Sequence, residues 1–238
     1  MPLRDDLENE TARILGHQWT IRDGTVVPTT PSVLLNGGGV KLDAVMLYAD
    51  LAESTKLAIS FDRRVTAKVV KSFLSASCRI IRAHNGNIRS FDGDRVMAVF
   101  LGSRKNTESA IAALKINWTV RHLLRPKIHA QYPTLAAGGF EINHGVGIDR
   151  GDVLVVRSGI RDNNDLIWIG RAPNVAAKLA NLRTGHPTYI TSDVFDRLAE
   201  DGKLGGNPRR LMWEECNWSV APTADVARIY RSTWTWAP

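Results

Sequence analysis

A strand, helix, strand, strand, helix, strand order predicts an α+β fold on the ferredoxin-like βαββαβ plan, an antiparallel sheet with helices packed on one face. Three observations carry this expectation. Apolar runs of strand length alternate with longer segments whose apolar residues recur at helical spacing. Asn85-Gly86 and Asp92-Gly93-Asp94 supply turn chemistry where the plan needs it. A chain of 238 residues, 44% hydrophobic and 23% charged, can bury a core of this size.

Residues 1–15 read as a short amphipathic helix, with Leu7 and Leu15 facing a partner and Asp5, Asp6, Glu8 and Glu10 facing water. The Gly, Pro and Thr of 23–40, ending in Gly37-Gly38-Gly39, read as an irregular arm. Ala44 to Ala49 is a dense apolar strand that stops at Asp50, and Glu53-Ser54-Thr55 opens a helix. Val65, Val69, Phe73, Ile80 and Ile81 then recur near helical spacing. Ile88 to Phe91 and Val96 to Phe100 flank the Asp-Gly-Asp turn as a hairpin. A second helix is expected over about 107–124. Two strands, Glu141 to Ile148 and Val153 to Val156, follow, then the apolar run Leu166 to Ile169 and a helix over Ala172 to Leu182. Residues 188–200 read as strand then helix, and two last strands are expected near 210–219 and 226–233.

The net charge is +7, scattered as Arg63-Arg64, Arg121 to Lys127 and Arg209-Arg210. Such a balance suits polyanionic partners, but its scatter fits a solvated surface at least as well as a nucleic-acid patch. No apolar run approaches the ~20 residues of a bilayer span, and the N-terminus has no apolar signal core, so a cytoplasmic protein with neither a membrane nor a nucleic-acid partner is expected. Cys78 and Cys216 alone make no disulfide scaffold or cysteine-based zinc site.

Asp50 and Asp94 are the sharpest feature. Each sits at a strand edge, and if the strands are neighbours the carboxylates converge as oxygen ligands for hard divalent cations. Taken singly, Asp50 reads as a helix cap and Asp94 as a turn residue.

Four blocks in order carry a resemblance. Leu47 to Thr55 and Arg89 to Phe100 look like the two metal motifs of the class III nucleotidyl cyclases. Gly145 to Ile148 with Gly151-Asp152-Val153 resembles their central hairpin, and Ile169 to Leu179 their ribose and transition-state motif. The likeness runs from about 41 to 192. It implies an N-terminal helix and arm over 1–40 and a cyclase catalytic domain over 41–238. It also implies that Asp50, Asp94 and the carbonyl of Leu51 bind two divalent cations, Mg2+ or Mn2+. Backbone N–H groups from Ala52 to Thr55, Ser54 among them, would cradle the triphosphate. Asn174 would orient the ribose, and Lys178 would stand where the family has a transition-state arginine. The reaction implied is attack of the ribose 3′-hydroxyl on the α-phosphate of a nucleoside triphosphate. Because the family joins the aspartates of one subunit to the asparagine and basic residue of another, a head-to-tail homodimer with shared sites follows.

The departures are informative. Lysine is a point charge and no equal of arginine's planar fork; Arg171 or Arg183 is a candidate to assist Lys178. The family's C-terminal lysine-glycine contact to the triphosphate has no counterpart around Asn217 to Arg231. At the positions that read a purine stand Ser90 and Ile167, with Trp168 beside the latter and Asp92 near the former. This combination resembles the pyrimidine cyclases of the bacterial Pycsar anti-phage systems, whose product activates a separate effector. The expectation is cyclisation of UTP to 3′,5′-cyclic UMP, with Asp92 accepting from uracil N3–H and excluding cytosine. A cytidylate cyclase, an adenylate cyclase and a degenerate nucleotide-binding regulator are the alternatives.

Overall fold

The computed structural model describes residues 2–160, 162–182 and 184–238. Its elements, in chain order, begin with α1 (Leu3–Gly16), β1 (Thr20–Asp23), β2 (Gly38–Leu51), α2 (Ser54–Ser60) and α3 (Arg63–Ala83). Next come β3 (Asn87–Asp92), β4 (Arg95–Phe100), α4 (Lys105–Thr119), α5 (Arg125–Gln131), α6 (Pro133–Ala137), β5 (His144–Ile160), β6 (Asn163–Ile169) and α7 (Arg171–Leu179). The chain ends with β7 (Thr188–Thr191), α8 (Ser192–Asp196), α9 (Glu200–Lys203), β8 (Leu204–Gly205), β9 (Arg210–Leu211), β10 (Glu214–Asn217) and β11 (Arg228–Ser232).

The expected βαββαβ plan is present as β2-α3-β3-β4-α4-β5. Strand order in the sheet is β10-β11-β7-β5-β2-β4-β3, with β1 added on β2 and β6 on β5. Pairing is antiparallel except for β1–β2 and β5–β7. The boundary expected between 40 and 41 falls inside β2, and the arm's own strand β1 joins the sheet there, Thr20 opposite Gly38.

β2 is buried on both faces, which explains why its sequence is a continuous apolar run. Val45, Leu47, Ala49 and Leu51 point into the larger core, closed by Val69, Phe73 and Ile81 of α3 and Leu114 and Ile116 of α4. Ala44 and Met46 point the other way, toward Met97, Val99, Val153, Val155 and, from α7, Ala172 and Ala176. Helices therefore cover both faces. α7 lies close because β5 carries glycines beneath it: a Cβ at Gly145 would strike the Ala180 carbonyl, and one at Gly147 the Ala176 carbonyl.

Three local expectations are corrected. The two strands expected over 141–156 are one strand, β5, because Asp149 to Asp152 stay in register with Met46 to Asp43 of β2 instead of turning. The helix expected over 107–124 gives way at Val120–Leu124 to a π-helical turn that leads into α5. Pro126 lacks an N–H and clashes with the preceding turn, so regular α-helical bonding cannot continue there. Helices also cover both sheet faces, since α7 supplies the second layer. Asp62 caps α3, its carboxylate accepting from the Arg64 and Val65 amides. Cys78 and Cys216 are both free.

Candidate active site

Asp50 is the penultimate residue of β2 and only 5% exposed. It is paired with Arg95 in β4 on one side and Gly145 in β5 on the other. Arg95 Nη2 donates to Asp50 Oδ2 at 3.3 Å and to Asn181 Oδ1 at 3.1 Å. Asp94 precedes Arg95 in the β3–β4 turn, where Gly93 takes the left-handed φ of 60° that the tight reversal needs. The Leu51 amide donates to the Asp94 carbonyl at 3.4 Å, so this turn is tied to the end of β2. Asp50, Leu51 and Asp94 are thereby brought together. The Asp50 and Asp94 carboxylates and the Leu51 carbonyl are oxygen donors of the kind that Mg2+ or Mn2+ takes in preference to a soft ion, with the Asp50 carboxylate held by Arg95.

Beyond Leu51 the chain reverses sharply into α2. Glu53 adopts φ 57°, uncommon for a side chain of its kind, and the Ala52 amide donates to the Asn143 carbonyl at 2.8 Å. Ser54, half-buried, and Thr55, exposed, are the first residues of α2.

Strand alternation places the remaining residues. Tyr48, Met97 and Ser90 form one cross-strand row on the Asp50 face. The Tyr48 hydroxyl donates to the Met97 sulfur at 2.9 Å, and burial pushes the phenol pKa up. Asp92, Arg95 and Asp50 form the next row. Asp92 is exposed, with Arg95 as its cross-strand neighbour.

Trp168 pairs with Val155 and packs on the same core as Met97 and Val99. The group against its ring is the Arg89 guanidinium, 5.8 Å from the centroid. Arg89 sits at a register shift between Ile88 and Ser90, and a bulge re-aims the side chain it carries. Its Nε is buried without a hydrogen-bond partner among the described residues. Spacing alone does not single out Arg89, because the purine-reading position counts to Ser90; the register shift sets the side chain one residue earlier against Trp168. Ile167 is likewise displaced. It is paired with Val156, on the opposite side of β6 from Trp168, and lines a groove with Ile14 and Trp19. The expectation that Ile167 lines the same pocket as Trp168 is corrected: neighbours along a strand point to opposite faces.

Asn174 and Lys178 are both exposed on α7, one turn apart, and the Asn174 amide donates to the Gly170 carbonyl at 3.0 Å. Arg171 is engaged elsewhere. It donates to the Arg150 carbonyl at 3.0 Å, lies 3.3 Å from Asp149 Oδ2, and pairs with Asp225. Asp149 is fully buried; burial pushes its carboxyl above the usual range, against the Thr191 hydroxyl at 2.7 Å and the Arg171 charge. Arg171 is therefore a structural counter-ion, and Arg183 lies outside the described residues.

No protein-family model matches the chain. Curated relatives do. A uridylate cyclase of Rhodovulum sp. (strain MB263) is 43% identical over 235 residues, covering 98% of this chain and 97% of that protein. A uridylate cyclase of Burkholderia cepacia is 41% identical over 239 residues, covering 99% of each. Among solved structures, the crystal structure of the guanylyl cyclase Cya2 superposes with a TM-score of 0.67 at 17% identity, covering 84% of this chain and 96% of that one. No helix among the described residues is long and apolar enough to cross a membrane. Full-length identity above 40% to curated relatives, on a fold shared with a guanylyl cyclase, leads to one conclusion: the chain is a nucleotide cyclase belonging to the uridylate cyclase family.

Proposed function

We propose that this enzyme converts UTP to 3′,5′-cyclic UMP and pyrophosphate at two sites shared across a head-to-tail homodimer. The product would serve as a second messenger for a separate effector in anti-phage defence. Full-length likeness to relatives named uridylate cyclase supports the nucleotide. The observation that carries the base reading is the Arg89–Trp168 pair on the Asp50 side of the sheet.

In this reading the ribose 3′-oxygen bonds to the α-phosphorus, the bond to the pyrophosphate oxygen breaks, and the hydroxyl proton passes to solvent. Asp50, Asp94 and the Leu51 carbonyl hold two divalent cations, which when bound neutralise phosphate charge and acidify the 3′-hydroxyl. Asn174 of the second chain orients the ribose. Lys178, four residues on, places a positive charge at the α-phosphate without the bidentate grip of arginine. Backbone amides from Ala52 to Thr55, with the Ser54 and Thr55 hydroxyls nearby, face the triphosphate.

Base choice follows from donor and acceptor patterns. Arginine only donates. Uracil offers a carbonyl oxygen at C4, where cytosine offers an amino donor. Arg89 therefore pairs with uracil and leaves cytosine with donor against donor, while Trp168 limits the space for a purine. Asp92 has Arg95 as its cross-strand neighbour, which supports reading it with the carboxylates and Arg89, in its place, as the base reader.

The test supplies the four ribonucleoside triphosphates separately with Mn2+ and measures cyclic product. UTP is expected to be preferred. Arg89→Ala should lower kcat/KM for UTP by about 100-fold and narrow the UTP:CTP ratio, since an unmet polar contact discriminates strongly. Asp92→Asn should leave that ratio unchanged. A wild-type preference for ATP or GTP would sink the pyrimidine reading; an unchanged ratio in Arg89→Ala would sink only the role of Arg89.

A further inference from the structure

α7 carries Asn174 and Lys178 on its exposed side and rests on the sheet through small apolar residues, Ala172 and Ala176 among them. Such contacts are non-directional and do not by themselves fix how far the helix slides or turns on β5. Its first residue is Arg171, a cation at the positive end of the helix dipole, where a positive charge is unfavourable unless acids surround it. Here they do. Arg171 Nε lies 3.3 Å from Asp149 Oδ2, and its Nη1 pairs with Asp225. Its Nη2 donates to the Arg150 carbonyl at 3.0 Å and lies 3.9 Å from Asp193 Oδ2.

We infer that the Asp149–Arg171 pair is a positioning device for the reaction: it sets α7 at one place on the sheet, and with it where Asn174 and Lys178 stand at the nucleotide. Asn174 and Lys178 serve the nucleotide in the reading proposed above, on which this inference rests. Asp149 is fully buried within β5, and its other oxygen accepts from the Thr191 hydroxyl of β7 at 2.7 Å, so two strands fix the anchor itself. A buried ion pair of this kind contributes registry more than stability. The planar fork of Arg171 reaches β5 and the 224–226 turn before β11 at once, a span that a single ammonium cannot bridge. The Gly170 carbonyl, at the peptide that enters Arg171, accepts from the Asn174 side-chain amide at 3.0 Å. A shift of the first turn therefore moves Asn174 directly, and Lys178 follows one turn later.

The experiment measures kcat and KM for UTP, with Tm, in Arg171→Met and Arg171→Lys. Methionine keeps the apolar stem and removes the charge; Asp149, left alone, takes up a proton instead of standing as a bare buried charge, so the fold persists. Arg171→Met is expected to lower kcat about 100-fold, as a displacement on the order of 1 Å does. KM should change by less than about 3-fold, because the base and triphosphate contacts lie elsewhere. Arg171→Lys, which keeps the charge but not the fork, should recover part of the loss and stand about 10-fold below wild type. Asp225→Asn removes only the outer contact, at an exposed position, and should lower kcat about 3-fold with Tm near wild type. A kcat within about twofold of wild type in Arg171→Met overturns the inference, as does a raised KM with kcat unchanged. If Arg171→Met fails to fold, an unchanged kcat in Asp225→Asn overturns it.

Mixing chains provides a readout that general destabilisation would not move. Arg171→Met combined with Asp50→Ala should regain activity, because the Asp50→Ala chain brings an intact α7. Combined with Asn174→Ala it should not, because both helices are then defective. Recovery with Asn174→Ala overturns the inference. So does an absence of recovery with Asp50→Ala where the control pair, Asp50→Ala with Asn174→Ala, recovers. If the control pair forms mixed dimers and regains nothing, the shared site fails instead. The kcat of Arg171→Met alone then decides the role of Arg171, since α7 must be held in place whichever chain it serves.

Discussion

The two faces of β2 divide the work of the molecule. Val45, Leu47, Ala49 and Leu51 are wholly enclosed by helices of the same chain, and that face is pure packing. On the other face Met46 is enclosed, but Tyr48 and Asp50 lead out to Arg95, Asn181 and the Asp94 turn, where polar groups hold one another. The chain completes its first face alone, and the end of the second is the place proposed above for the nucleotide and a second copy. A single strand can do both because successive side chains point in opposite directions. Changes on the first face should therefore cost stability, and changes at the end of the second should cost chemistry.

The largest test of this division sets Phe73→Ala against Asp94→Ala. Phe73 is fully buried between α3 and the sheet, and its truncation should cost about 3–5 kcal/mol. Chemical denaturation measures that loss, with the activity of the remaining folded enzyme near normal. Asp94→Ala, in a half-buried turn, should abolish cyclisation with a Tm close to wild type. A variant with near-normal turnover would remove Asp94 from the metal assignment and blur the distinction between the faces.

A sharper version uses the partner. Neither Asp50→Ala nor Asn174→Ala chains should turn over alone. Mixed, random pairing gives one complete site in half of the dimers, or about a quarter of wild-type activity under two-fold symmetry. No recovery, with mixed dimers demonstrated by mass, would mean that the open face serves its own chain.

The smallest effect lies at the rim of the closed face. Glu108 joins α4 to the end of α3 through His84 Nδ1 at 2.7 Å and to Arg104 at 3.1 Å, and Arg104 reaches on to Asp201. Burial opposes ionisation of Glu108, but His84 and Arg104 outweigh it and hold the carboxyl below its ordinary range. Stability from a depressed carboxyl is full above its unfolded value of about 4.3 and fades as the pH falls through the folded value. Glu108→Gln should cost about 1 kcal/mol at neutral pH, and its difference from wild type should close below about pH 4. A difference that persists at low pH would assign the loss to packing, not charge.

Much of this architecture is local and so was legible in the residues. The apolar run into Asp50, the Asp-Gly-Asp turn and the helical spacing through Val69, Phe73, Ile80 and Ile81 each specify an element without reference to the rest of the chain. Their order prescribes the βαββαβ core, which brings the end of β2 beside the β3–β4 turn. Convergence of Asp50 and Asp94 follows from topology that the residues already contain. The base end was not legible, because it depends on which residue faces which across strands far apart in sequence. A register shift at Ile88/Ser90 turns Arg89 toward Trp168, and the pairing of β6 with β5 sends Ile167 to the opposite side. Asp149 to Asp152 have the composition of a turn, yet remain strand because β2 supplies hydrogen-bonding partners along their whole length. Sequence by itself determined most of the elements and set two aspartates at adjoining strand ends; only the tertiary structure decided which side chains share the face proposed for the base, since strand register is set by pairing and one residue of shift exchanges the two faces.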